Sequence, residues 1–83
     1  MKTIQYSKQA DKALNAMPQN QAAKIEAKID VLATNPAALA NNIKALKGSN
    51  CLRLRVDNWR VVYTEDLVII SVLDIDQRKD IYR

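Results

Sequence analysis

Eighty-three residues carry thirteen Lys and Arg against nine Asp and Glu, with a single cysteine and no histidine. This length allows one domain, spanning residues 1–83, whose one core must serve nearly every element. One Cys cannot form an intramolecular disulfide, a His-based general base or Ser-His-Asp triad is excluded, and zinc or transition-metal ligands are too few, so no cofactor is expected.

In chain order, residues 2–6 (KTIQY) suit a short strand, after which the Ser7 hydroxyl is placed to cap a helix. Ala10, Leu14 and Met17 recur at helical spacing until Pro18. From about Asn20 a second helix is expected, with Ala22, Ile25, Ile29 and Leu32 on one stripe and Asn35-Pro36 at its end. The two helices should form an antiparallel hairpin. Residues 37–50 fit a further helical turn and then a KGSN loop.

After Gly48 the period becomes two. Residues 51–56 (CLRLRV) place Leu52, Leu54 and Val56 on one face and Arg53 and Arg55 on the other. Residues 59–64 (WRVVYT) place Trp59, Val61 and Tyr63 opposite Arg60, Val62 and Thr64, with Asp57-Asn58 as a two-residue hairpin turn. Glu65-Asp66 is expected to make a second tight turn into LVIISVLDI. That segment is apolar on both faces, which argues for an interior strand, with residues 67–73 buried. The run is far too short to span a bilayer, and MKTIQYSKQADK lacks an apolar signal region. A cytoplasmic, soluble protein without membrane association is expected.

The basic residues segregate. All five arginines (Arg53, Arg55, Arg60, Arg78, Arg83) lie in the last 31 residues, whereas the first 52 carry only lysine. A two-residue turn sets Arg55 directly across from Arg60, with Arg53 two positions along on the same side. Like charges directly opposite are unfavourable in a sheet. An anion gripped by the planar guanidinium groups would relieve them, and so would a neighbouring carboxylate such as Asp74 or Asp76.

The stretch LKGSNCLRLRVDNWRVVYTED, the hydrophobic strand after it and the tail DQRKDIYR resemble the RelE/ParE superfamily of bacterial toxins, the toxic halves of type II toxin–antitoxin modules. The resemblance follows the whole chain. It implies an α+β fold in which an N-terminal helix hairpin packs on a mainly antiparallel, twisted β-sheet, as in RelE-like microbial ribonucleases. It also implies a cognate antitoxin as partner, in a higher-order hetero-oligomer. The RelE-like branch cuts messenger RNA in the ribosomal A site. Its catalytic positions fall here on Arg53, Arg55, Arg60, Arg78 and Tyr82. Relatives often carry lysine where Arg53 and Arg55 stand, and His or Lys where Gln77 stands.

Ribosome-dependent cleavage of this kind can proceed without metal, the RNA 2′-OH attacking the adjacent phosphate. Arginines suit positioning and charge stabilisation but cannot act as bases, since guanidinium stays protonated up to a pKa above ~12. Tyr82 is the candidate for proton transfer or RNA orientation, and as a base it would need its ordinary pKa of ~10 lowered by surrounding arginines. Arg78 suits phosphorane stabilisation or leaving-group assistance. Lys44, Lys47, Lys79 and Arg83 are candidate RNA-phosphate contacts, with Lys24 and Lys28 weaker ones. Trp59 and Tyr63 alternate as core residues, Cys51 is structural, and Tyr6 suits the sheet edge. Two other readings share the fold: a ParE-like inhibitor that poisons DNA gyrase by binding, and a degenerate member acting only as a binding module.

Overall fold

The computed structural model describes residues 2–77. Strand β1 (Thr3–Tyr6) leads into α1 (Lys8–Ala16) and α2 (Gln19–Thr34). Ser7 caps α1 as expected. Its Oγ accepts from the Ala10 N–H at 3.0 Å and donates to the Leu73 carbonyl at 2.7 Å, tying the helix start to the sheet. Met17 ends α1 in extended backbone, and Pro18, which has no N–H to leave unpaired, opens α2. The α2 stripe buries Ile25, Ile29 and Leu32.

A 3-10 helix (Pro36–Asn42) and a short strand β2 (Ile43–Ala45) occupy the region the sequence left open between helical turn and loop. The loop that follows returns on itself through Leu46 N–H to the Cys51 carbonyl at 3.0 Å. Gly48, at φ 74°, supplies the left-handed residue it needs. Strands β3 (Leu52–Val56), β4 (Trp59–Glu65) and β5 (Ile69–Gln77) complete a five-stranded sheet in the order β1-β5-β4-β3-β2. Only the β1–β5 pairing is parallel. The fold is therefore the expected α+β architecture, with β5 interior as its apolar pattern requires.

One core joins the layers: Ala10, Leu14, Ile25, Ile29 and Leu32 from the helices meet Leu54, Val61, Tyr63, Ile70, Val72 and Ile75 from the sheet. The helices thus cover one sheet face, and alternation sends Arg53, Arg55 and Arg60 to the other.

The expected buried strand over residues 67–73 needs correction. Leu67 is 94% and Val68 63% exposed, and β5 starts only at Ile69. Asp66 explains this, because its Oδ1 accepts from the Val68 and Ile69 N–H groups at 2.8 and 2.7 Å. This side-chain turn holds the two apolar residues outside the ladder, making the connection longer than a Glu65-Asp66 tight turn. Those hydrogen bonds, with Ile69's the larger influence and Lys2 adding to them, hold the Asp66 carboxyl below its usual range. Among the described residues no helix is long and apolar enough to cross a membrane.

Candidate functional site

The hairpin has the register its sequence dictates. Val56 pairs with Trp59, Arg55 with Arg60, Leu54 with Val61 and Arg53 with Val62. Asp57, at φ 54°, takes the left-handed position in the turn. Two rows of side chains therefore cross the helix-free face. One runs Lys44, Arg53, Val62, Asp74, and the other runs Arg55, Arg60, Asp76. Directly paired residues sit roughly 4.5–5.5 Å apart at Cβ, so each row is a line of near neighbours. The face is basic over β2 and β3 and acidic over β5.

Asp76 takes up Arg60. The contact is bidentate, from Nε to Oδ1 at 3.2 Å and from Nη2 to Oδ2 at 2.8 Å. The carboxylate alternative for the arginine cluster is therefore realised at Arg60. Asp74 lies at the end of the other row, where its Oδ1 accepts from Gln9 Nε2 at 3.2 Å. Among the described residues, Arg53 and Arg55 have no such carboxylate in their hydrogen-bond set. Arg55 is exposed, while Arg53 is half-buried. The Arg53 Nε is a buried donor without a hydrogen-bond partner among the described residues. Leaving a buried donor unmet is costly, more so when it belongs to a cation, and an oxyanion is the acceptor best matched to it.

Of the other candidates, Lys44 is exposed on β2 directly across from Arg53, and Lys47 lies exposed in the following loop. Lys24 is held elsewhere, its Nζ 2.8 Å from Asp57 Oδ2. Arg78, Lys79, Tyr82 and Arg83 lie outside the described residues.

The two described tyrosines with shifted values are not bases. Burial, with Glu65 adding to it, raises the Tyr63 pKa to about 12. Burial, then Glu26, Asp30 and Asp11, raises that of Tyr6 to about 12. Trp59 packs against the core as its alternation implies, and its Nε1 donates to Gln21 Oε1 at 3.0 Å. The Gln21 contact could not be read from the sequence, because it joins α2 to β4 across 38 positions.

This fold and basic sheet face define a toxin domain of the RelE/ParE superfamily. The family model for the ParE toxin of the type II toxin–antitoxin system parDE matches residues 4–82, and the chain belongs to that family. No protein with a curated description matches the sequence. Solved structures give the same fold. The archaeal RelE–RelB complex from Pyrococcus horikoshii OT3 is similar with a TM-score of 0.79 at 23% identity, over 94% of this chain and 96% of that one. The RelB–RelE antitoxin–toxin complex of Methanococcus jannaschii gives 0.69 at 26% identity, over 94% of each chain. The YoeB dimer of Staphylococcus aureus gives 0.70 at 25% identity, over 88% of this chain and 92% of that one.

Proposed function

We propose that this toxin is an endoribonuclease that cuts messenger RNA in the ribosomal A site and so blocks translation, with a cognate antitoxin holding it inactive. The observation that carries this reading is Arg53. Its buried Nε, unmet among the described residues, stands on a sheet face where Arg55 and Lys44 add positive charge, a setting suited to the phosphate of a bound strand.

In the proposed reaction the RNA 2′-OH attacks the adjacent phosphorus in line, a 2′,3′-cyclic phosphate forms, and the 5′-oxygen leaves. Arg53 and Arg55 fix the backbone and offset charge on the phosphorane. Arg78 assists the phosphorane or leaving oxygen, and Tyr82 takes the 2′-OH proton or orients the RNA. Lys44, Lys47, Lys79 and Arg83 hold flanking phosphates. In this reading arginine cations supply the charge stabilisation at the phosphorane, and no metal takes part. An antitoxin partner is supported by the complexes among the similar structures, in which RelE chains are bound to RelB.

The ParE family match favours a second reading, in which the protein inhibits DNA gyrase by binding. The Arg60–Asp76 pair is compatible with it, since it offsets part of the positive charge on this face. Mapping of cleavage sites on mRNA in a purified translation system, with and without ribosomes, separates the two. The nuclease reading expects ribosome-dependent cuts at A-site codons that vanish in Arg78→Ala. Growth arrest without any cuts would replace it with the gyrase reading.

A further inference from the structure

The tip of the β3–β4 hairpin needs support that the sheet gives it only in part. Pairing between β2 and β3 ends at Ile43 and Leu54. Among the described residues, Arg55 and Val56 therefore project past β2 and are paired on one side only, to β4. In that pairing Arg55 stands directly opposite Arg60, and like charges so placed push the two strands apart. Asp76 answers Arg60 from β5, while Arg55 is exposed. A hairpin end with opposed cations and one-sided pairing is a segment prone to local opening.

Three side chains from outside the hairpin tie this end down. Asn42, the last residue of the 3-10 helix, donates from Nδ2 to the Arg55 carbonyl at 3.3 Å, so a side-chain amide bonds β3 just beyond the end of the β2 pairing. On the helix-covered side, Gln21 Oε1 accepts from Trp59 Nε1 at 3.0 Å, and Lys24 Nζ meets Asp57 Oδ2 at 2.8 Å. Gln21 and Lys24 are three positions apart on α2, so one face of that helix makes both contacts. These two ties lie across the sheet from the arginines and act on them through the hairpin backbone, since successive side chains point to opposite faces. Each tie is open to solvent and weak alone. Their leverage comes from converging on Arg55, Asp57 and Trp59, one short stretch of chain.

We infer that Asn42, Gln21 and Lys24 are positioning residues, which clamp the hairpin tip against the Arg55–Arg60 repulsion and so present Arg55 to a phosphate of the bound strand. The clamp rests on the reading of the arginine face as a phosphate site. It acts through Arg55 without touching the strand itself, and this separates it both from a contact residue and from a general structural role.

The probe is a short single-stranded 2′-O-methyl RNA, which lacks the attacking hydroxyl, so binding to the full chain is read apart from cleavage. Asp57→Asn tests the sign of the effect. Asparagine tolerates the left-handed position in the turn, and the substitution makes the protein more positive. Charge alone would tighten binding to a polyanion, whereas loss of the clamp should weaken it, by about threefold. Asn42→Ala with Gln21→Ala, which changes no charge, should weaken binding by about tenfold, the scale of one or two lost hydrogen bonds. Amide exchange from Val56 to Trp59 should quicken in these variants, while that of α2 from Ile25 to Leu32 stays slow and shows that they are folded. In an Arg55→Ala background the same substitutions should lose most of their effect on binding.

Tighter or unchanged binding by Asp57→Asn, an equal loss with and without Arg55, or no binding by the unsubstituted chain would overturn the clamp. Losses that depend on Arg55, without any mRNA cleavage in the translation assay, would keep the clamp and reject the nuclease reading. Ribosome-dependent cleavage with losses independent of Arg55 would do the reverse.

Discussion

Arg60 and Arg53 show how two residues of one type, on one face, come to different states. Arg60 faces Asp76 across β4–β5 and closes a bidentate pair, whereas Arg53 faces Val62 and keeps a buried Nε without an acceptor among the described residues. The pair is partly open to solvent, with side chains 34% and 41% exposed, so its stabilisation is modest despite good geometry. Asp76→Asn should lower unfolding stability by no more than ~1 kcal/mol in urea titration. A larger loss would mean that Asp76 supports more than Arg60. Tyr63 and Tyr6 give a test at alkaline pH. Both hold their protons more tightly in the folded chain, with values near 12 against an ordinary value of ~10. Their contribution is intact below pH ~10 and is lost as pH rises through about 12. Tyr63→Phe should therefore flatten the fall of stability over that window, as measured by urea midpoints across pH. An unchanged slope would exclude Tyr63 as its source.

Among the elements, those with a long repeat were legible from sequence and those set by one side chain were not. The α2 stripe and the β3–β4 register follow from periodicity alone, because a one-residue slip would carry arginine into the core. The Ser7 cap was equally legible, and Ser7→Ala should cost about 1 kcal/mol in thermal or urea unfolding. Loss well beyond that range would indicate that the bond to the Leu73 carbonyl matters more than the cap. Strand β2 was not legible, since three residues (Ile43–Ala45) are too few to show alternation. Leu67 and Val68 depart from the expectation for a different reason: their apolar run suits a strand, but the Asp66 carboxylate binds the Val68 and Ile69 N–H groups. Because that carboxyl titrates below the usual range, these bonds should hold at neutral pH and release only as pH falls below the ordinary value of ~3.9. Amide shifts of Val68 and Ile69 through an acid titration would report it. Movement already at pH 6 would contradict the Asp66 turn.

At the scale of the whole molecule, the net charge of +4 matters less than where it sits. The helix-free face runs from Lys44, Arg53 and Arg55 on β2 and β3 to Asp74 and Asp76 on β5. The arginine face was legible from hairpin register. Its acidic border was legible only as two candidates, because the register shift at Val62/Tyr63 decides which carboxylate meets Arg60. If RNA follows the basic side, Lys44→Ala should reduce the logarithmic salt dependence of single-strand binding by ~0.7, the loss of one phosphate contact. Arg78 and Tyr82, proposed for the reaction on family resemblance alone, lie outside the described residues.

The proposed function turns on Arg53 and Arg55 holding the scissile phosphate. Its most direct test is the single-turnover cleavage rate of ribosome-bound mRNA by Arg53→Ala, Arg55→Ala against the unsubstituted toxin, with folding checked by circular dichroism. The rate should fall by about 100-fold or more, the scale for removing donors to a developing oxyanion. A folded double variant that cuts at the original rate would contradict it.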